Sequence, residues 1–409
     1  MNQELLNKYA SLVVKIGANV QPGQTVVLMS PVETADFARA ITEAAYTAGA
    51  RDVFVEWNDE KLSRIKYLNA PDEVFDEVPS WKKDFNLTNL RKGAAFIQIK
   101  ASDPDAFKGV DVSRISRSMK ALTTELKEYH EALMSNKNAW CIASVPTEAW
   151  ARKVFPELPA EEAVARLWEA ILKAVRVDTE DPVEAWKEHT LNLKKSMAFM
   201  NDNNFKYLHY RNSLGTNLTI ELPEGHVWVG GAEETTGGVK FIANMPTEEV
   251  FTLPKKTGVN GTVVSSMPLN YNGSLVDKFS ITFKDGRITD YTAEVGYEVL
   301  KSIIETDEGS HYLGEVALVP KDSPISNQNI LFYNTLFDEN ASCHLAIGRA
   351  YSPCIKDNEN MSEKELEEAG VNNSLIHVDF MIGTKDLEIT GITADGKEIP
   401  VFIDGNFAF

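Results

Sequence analysis

PGQTVVLMSPVETADFARAITEAAYTAGARDVFVEW, residues Pro22 to Trp57, decides the fold class. The apolar run Val26–Met29, bounded by Pro22-Gly23 and Pro31, reads as a buried strand. Residues 33–48 read as a helix stopped by Gly49, since glycine adopts the left-handed backbone that ends helices. DVFVEW, residues 52–57, reads as the next strand. A strand, a helix and a strand at this spacing make a β-α-β unit, and the implied sheet is parallel.

The pattern extends both ways. Leu5, Leu6, Tyr9, Leu12, Val13 and Ile16 fall near helical spacing, so residues 3–17 read as a helix ended by Gly17. AAFIQIKA (Ala94 to Ala101) and AWCIASVP (Ala139 to Pro146) read as further strands, with helix between them over 114–134. Residues 1–190 are expected to form an α/β domain with a mainly parallel sheet. It carries neither GxGxxG nor GxxxxGK[ST], so no nucleotide fingerprint is present.

Two helices, 160–176 and 182–202, read as a connector. From Asn204 the composition changes to short alternating strands with Gly and Asn turns. Lys206–Leu222 reads as a hairpin turning at Ser213-Leu214-Gly215. Phe279–Val295 turns at Asp285-Gly286 and Leu387–Gly405 at Asp395-Gly396, and Asp-Gly between alternating runs is a strong hairpin signal. Residues 191–409 are therefore expected to be a β-rich α+β domain.

The chain has 409 residues, 41 Lys and Arg against 60 Asp and Glu, and a net charge of −19. That balance argues against nucleic acid, whose phosphates need excess positive charge, and against an anionic membrane surface. No stretch approaches 18 apolar residues, so no membrane span is expected. MNQELLNKYASLVVKIG lacks a basic segment followed by an apolar run, so no signal peptide is expected. Three cysteines without a CxxC suit a reducing cytoplasm.

The chemistry concentrates near the C-terminus. FDENASCHLAIGRAY (Phe337 to Tyr351) holds Asp338, Glu339, His344 and Tyr351, and IHVDF (Ile376 to Phe380) holds His377 and Asp379. A strand puts residues i and i+2 on one face, so His377 and Asp379 would point the same way. Upstream, NMPTEEVFT (Asn244 to Thr252) carries Glu248-Glu249 and YLGEVALV (Tyr312 to Val319) carries Glu315, each in an apolar setting. Glu249, Glu315, Glu339, His344, His377 and Asp379 supply four carboxylates and two imidazoles. That set suits two divalent ions sharing a bridging carboxylate and a bridging water. Spacing alone does not join these segments. Glu248-Glu249 also reads as a solvated face, His377-Asp379 as structural, and Asp338 and Glu339 as caps of a helix beginning near Asn340.

NMPTEEVFT, YLGEVALV, FDENASCHLAIGRAY and IHVDF, in this order, resemble the M29 family of metallo-aminopeptidases, and the resemblance covers the whole chain. It implies a two-domain, homodimeric enzyme that removes N-terminal residues from peptides at a dinuclear metal site in its C-terminal domain. The implied ligands are Glu249, Glu315, His344, His377 and Asp379. Tyr351 falls on the family's active-site tyrosine, and Glu339 matches an acidic position. Zinc, cobalt, manganese and magnesium all tolerate this donor set. Glu315 or Asp379 is expected to bridge, and Glu248 is a candidate general base. Two alternatives remain open. One is another dinuclear hydrolase, an amidohydrolase or phosphoesterase, although no basic cluster flanks these residues. The other is a non-enzymatic peptide-binding protein.

Overall fold

The computed structural model describes residues 3–409. The chain divides into two compact units, one made of Met1–Leu191, Gly231–Thr247 and Phe332–Leu336, the other of Asn192–Gly230, Glu248–Leu331 and Phe337–Phe409.

The first unit is built on a four-stranded parallel sheet of β1 (Thr25–Pro31), β2 (Asp52–Asn58), β3 (Ala95–Ile99) and β4 (Trp140–Ala143), in the order β2-β1-β3-β4. Val26 pairs with Val53 on one side and Ala95 on the other, so β1 is central and buried, as its apolar run requires. The helix between β1 and β2, Ala35–Thr47, buries Phe37, Ala38, Ile41 and Ala45, one stripe at helical spacing. Two helical expectations need correction. Residues 3–17 are an α-helix only over Gln3–Leu12, and Val13–Gly17 widen to a π-helical turn. Residues 114–134 belong to two helices, Val112–Glu125 and Lys127–Met134, because Leu126 leaves helical geometry at φ −100°, ψ 18°.

The second unit holds a nine-stranded sheet containing the three expected hairpins. Tyr207–Arg211 pairs with Asn217–Glu221, Ser274–Lys284 with Arg287–Val295, and Glu388–Ile392 with Glu398–Ile403, all antiparallel. Asp285 and Gly286 have φ of 51° and 82°, the positive pair that the commonest two-residue hairpin turn demands.

Beside it lies a four-stranded antiparallel sheet of β5 (Val250–Thr252), β6 (Leu313–Leu318), β7 (His344–Gly348) and β8 (His377–Met381), in the order β8-β7-β6-β5. Strands β6 and β7 are buried along their whole length. Both faces are covered, so their sequences read as continuous apolar runs. The expected helix beginning near Asn340 is absent. Thr335–Asp338 is a helical turn, Glu339–Ala341 a 3-10 turn, and Ser342 is already extended at φ −157°, ψ 145°. The chain has only Ser342 and Cys343 in which to enter β7, and Asp338 sits at the end of its turn in helical geometry rather than as a cap.

Candidate active site

Strand pairing assembles the site. Glu315 on β6 stands opposite Ala346 on β7, and Ala346 stands opposite Asp379 on β8. Opposed residues of antiparallel strands project to the same face, and so do residues two apart on one strand. His344 therefore joins Ala346, and His377 joins Asp379, on the face that carries Glu315. Glu249 immediately precedes β5, which pairs with β6 from the other side.

The β6–β7 register shifts between Leu313 and Glu315, and Gly314 lies at the shift. A Cβ on Gly314 would come within 2.3 Å of the Arg349 carbonyl and 2.4 Å of the Gly348 carbonyl. Glycine there lets the two backbones approach closely and re-aims the following residue, Glu315.

Two triads result. Ligand atoms of Glu249, Glu315 and His344 all lie within 4.8 Å of one another, and so do those of Glu315, His377 and Asp379. Glu315 belongs to both. Its Oε1 is 3.4 Å from Nε2 of His344, and its Oε2 is 3.4 Å from Nε2 of His377. Glu249 Oε2 lies 2.9 Å from His344 Nε2, and Asp379 Oδ1 lies 3.3 Å from His377 Nε2. Each imidazole is oriented by a backbone carbonyl. His344 Nδ1 donates to Ser342 O at 3.0 Å and His377 Nδ1 to Arg349 O at 2.7 Å. A carbonyl only accepts, so Nδ1 carries the proton and Nε2 is the atom offered to a ligand. Arg349 is anchored in turn, with its Nε donating to Ser374 O at 2.6 Å.

Burial sets the electrostatics. Glu248, Glu249, Glu315, Glu339 and His344 are all buried, so the solvated reading of the Glu248-Glu249 pair does not hold. Burial pushes the Glu315 carboxyl up to about 7 against the pull of His344 and His377. Burial, with Asp379 and Glu249 nearby, holds Glu339 well above the usual carboxylate range. Burial opposes charge on the imidazoles, yet Glu249 and Glu315 hold His344 well above its ordinary value, and Asp379 raises His377 to about 9. Burial works against ionised Asp379, but His377 holds its pKa below the ordinary value.

These residues fit divalent ions. Glu249 Oε2 and Asp379 Oδ1 are buried and make no hydrogen bond of acceptable geometry, although each lies close to an imidazole nitrogen. Such oxygens are costly when left without a partner, and a cation satisfies them. The donor set, imidazole nitrogen plus carboxylate oxygen with no thiolate, is one that divalent zinc, cobalt and manganese accept.

The structure thus draws together Glu249, Glu315, His344, His377 and Asp379. Glu339 lies in the turn just before β7, outside both triads, though its charge is felt with theirs. Glu248 donates its backbone N–H to Asn340 Oδ1 at 2.7 Å. Tyr351 follows β7, its ring edge-on to His377 at 5.0 Å and to Phe251 at 5.7 Å between centroids. Sequence reasoning missed Ser342, Arg349, Ala346 and Asn340. Ser342 and Arg349 act on the histidines through their carbonyls, Ala346 through its small size, and Asn340 holds Glu248 through its side-chain oxygen.

Residues 2–407 match the family described as thermophilic metalloprotease (M29). The chain belongs to the M29 family. It is accordingly a peptidase hydrolase of a metal-dependent kind. It is 50% identical over 404 residues to Aminopeptidase 2 of Geobacillus stearothermophilus, covering 99% of this chain and 98% of the relative. Identity and coverage are the same with Aminopeptidase AmpS of Bacillus subtilis (strain 168). The solved structure of wild-type AmpT from Thermus thermophilus covers 100% of both chains at TM-score 0.90 and 39% identity. The family resemblance and the mixed α/β architecture read from the sequence are both borne out. No described helix is long and apolar enough to cross a membrane.

Proposed function

We propose that this M29 peptidase is an aminopeptidase that hydrolyses N-terminal residues from peptides at a site for two divalent ions. The observation that carries the two-ion reading is the Glu315 carboxylate, whose two oxygens face different histidines at 3.4 Å each. Glu249 and His344 would hold one ion, His377 and Asp379 the other, and Glu315 would bridge them. Glu339, in neither group but near the charges of both Asp379 and Glu249, would complete the set on reorientation of its side chain. Ions bound there supply an acidified water and polarise the scissile carbonyl.

The remaining roles belong to the chain. Ser342 and Arg349 orient the two imidazoles through their carbonyls. Glu248, buried beside Glu249, would take the proton from the attacking water and pass it to the departing amine. The Tyr351 hydroxyl would donate to the oxygen on which negative charge develops. The buried carboxylates favour a cation, and a peptide's free α-amino group is cationic near neutral pH, with an ordinary pKa of about 7.7–8.0. That preference selects the chain end over internal bonds. The homodimeric state and the cytoplasmic location belong to the same reading. The first is supported by the family resemblance, the second by the small, odd cysteine count.

The test is metal content together with cleavage of aminoacyl-nitroanilides, before and after chelation, with N-acetylated substrates as controls. The reading expects about two metals per chain, loss on chelation, rescue by a divalent ion, and cleavage only where the N-terminus is free. Cleavage of N-acetylated substrates at comparable rate would overturn it.

A further inference from the structure

A cavity of about 440 Å³ in the second unit is lined by none of the proposed metal ligands, although Ser342, whose carbonyl orients His344, forms part of its wall. Its wall carries two ammonium groups, those of Lys321 and Lys385. Among the described residues neither forms an ion pair with a carboxylate, in a chain whose net charge is −19. Lys321 donates one proton of its ammonium to Ser326 Oγ at 2.6 Å, which leaves two donors. Burial and the neighbouring Lys385 hold the Lys321 pKa below its ordinary value, so the pair is under a repulsion that an anion would relieve. Asp386 also lines the cavity as an ionised carboxylate, which leaves one net positive charge among the three, and both its oxygens are engaged by neutral donors. Oδ2 accepts from the Ser213 N–H at 2.8 Å and Oδ1 from Thr384 Oγ1 at 2.7 Å. The wall also includes Ser266, whose Oγ is buried without a hydrogen-bond partner, a donor with nothing yet to donate to.

The rest of the wall mixes polar side chains, among them Asn329 and Thr384, with an apolar part that includes Leu214, Met267 and Leu331. An inorganic ion alone would leave most of that space unfilled, and cavities of roughly 300–1,000 Å³ with apolar walls and a few convergent polar groups suit small organic ligands. The geometry points to a binding site for a small amphipathic anion, with its carboxylate or phosphate between Lys321, Lys385 and Ser266 and its apolar part against Leu214, Met267 and Leu331. Recognition needs both features. The cations select the charge, and the apolar wall selects the body attached to it.

The test is isothermal titration of the metal-loaded full chain with N-acetyl-L-leucine and, separately, with n-butyl phosphate. N-acetyl-L-leucinamide serves as the neutral control. None of the three has a free α-amino group. The expected result is saturable binding of at least one acid, weakened about tenfold or more in Lys321→Gln and in Lys385→Gln, as loss of a charge-assisted hydrogen bond requires. Lys385 is exposed, so its variant keeps the test valid if Lys321→Gln fails to fold. The arm that binds distinguishes a carboxylate ligand from a phosphate one. Binding of neither acid, equal affinity in both lysine variants, or equal binding of the amide would each overturn the site.

Discussion

Ala346 stands directly opposite Asp379 across the β7–β8 ladder, and its other flank faces Glu315 on β6. It is fully buried, and a single methyl group is all that projects between two carboxylates proposed to hold metal. Any larger side chain would project to the same face and fill the space where their oxygens converge. Ala346→Leu is expected to lower metal content and peptidase activity on the order of 10–100-fold, the usual cost of disturbing a metal site from outside its ligands. Metal analysis and turnover on the same preparation check this, with circular dichroism to show the fold. Full metal content and full activity would mean that the ligands do not converge beside Ala346.

Glu248 and Tyr351 separate chemistry from metal binding. Glu248→Gln keeps the shape and the hydrogen bond from its backbone to Asn340 but cannot take up a proton. Turnover is expected to fall about 10²–10⁴-fold with metal content unchanged. Retained turnover at intact metal content would leave Glu248 as a structural neighbour of Glu249.

Tyr351→Phe preserves the ring that packs edge-on to His377 and removes only the hydroxyl. If that hydroxyl meets the developing oxyanion, kcat falls on the order of 10²–10³-fold while KM moves little. A change confined to KM would place the tyrosine in substrate binding instead.

Metal uptake is expected to release protons. Burial holds Glu315 up to about 7, and Asp379 and Glu315 raise His377 to about 9 against its own burial. A ligand binds a cation only through deprotonated atoms, so protons and metal compete, and apparent metal affinity weakens as pH falls. Calorimetric titration of chelator-treated protein in buffers of different ionisation enthalpy reads this directly. Heats that do not depend on the buffer would count against a protonated cluster.

His189 gives stability a pH dependence of its own. Its Nε2 donates to Thr247 O at 2.7 Å while Nδ1 accepts from Arg176 at 3.1 Å, so the ring is held neutral. Burial, then the Arg176 charge, lowers its pKa to about 4. The unfolded chain binds a proton near the ordinary value of about 6.5, and the folded chain does not until about 4, so stability falls as pH drops through that window. The whole shift is worth up to about 3 kcal/mol. Urea unfolding at pH 7 and pH 5 should show a smaller loss for His189→Gln than for the unsubstituted protein.

Local regularities were legible because they repeat over a few residues. The β-α-β unit of Pro22–Trp57 declares itself by an apolar strand, a helical stripe and glycine stops, and the Asp285-Gly286 and Asp395-Gly396 turns by the backbone they require. The two helices over 112–134 merged in the reading because apolar spacing does not mark the break at Leu126. The supposed helix near Asn340 failed for a related reason. Acidic residues before a run resemble caps, but the chain had to be extended by Ser342 to enter β7.

The sequence by itself determined the chemical inventory and the elements that carry it: carboxylates and imidazoles on short apolar strands, with His377 and Asp379 on one face. Only the tertiary structure decided which of them meet. Glu249 comes from the residue just before β5, and Glu315, His344 and His377 from β6, β7 and β8, and their convergence depends on the register of these strands and on the shift at Gly314. Register between strands distant in sequence is set by side-chain packing and backbone pairing across the sheet, which no local spacing encodes. The same holds for Ser342 and Arg349. Every residue has a carbonyl, and only the fold aims these two at the histidines.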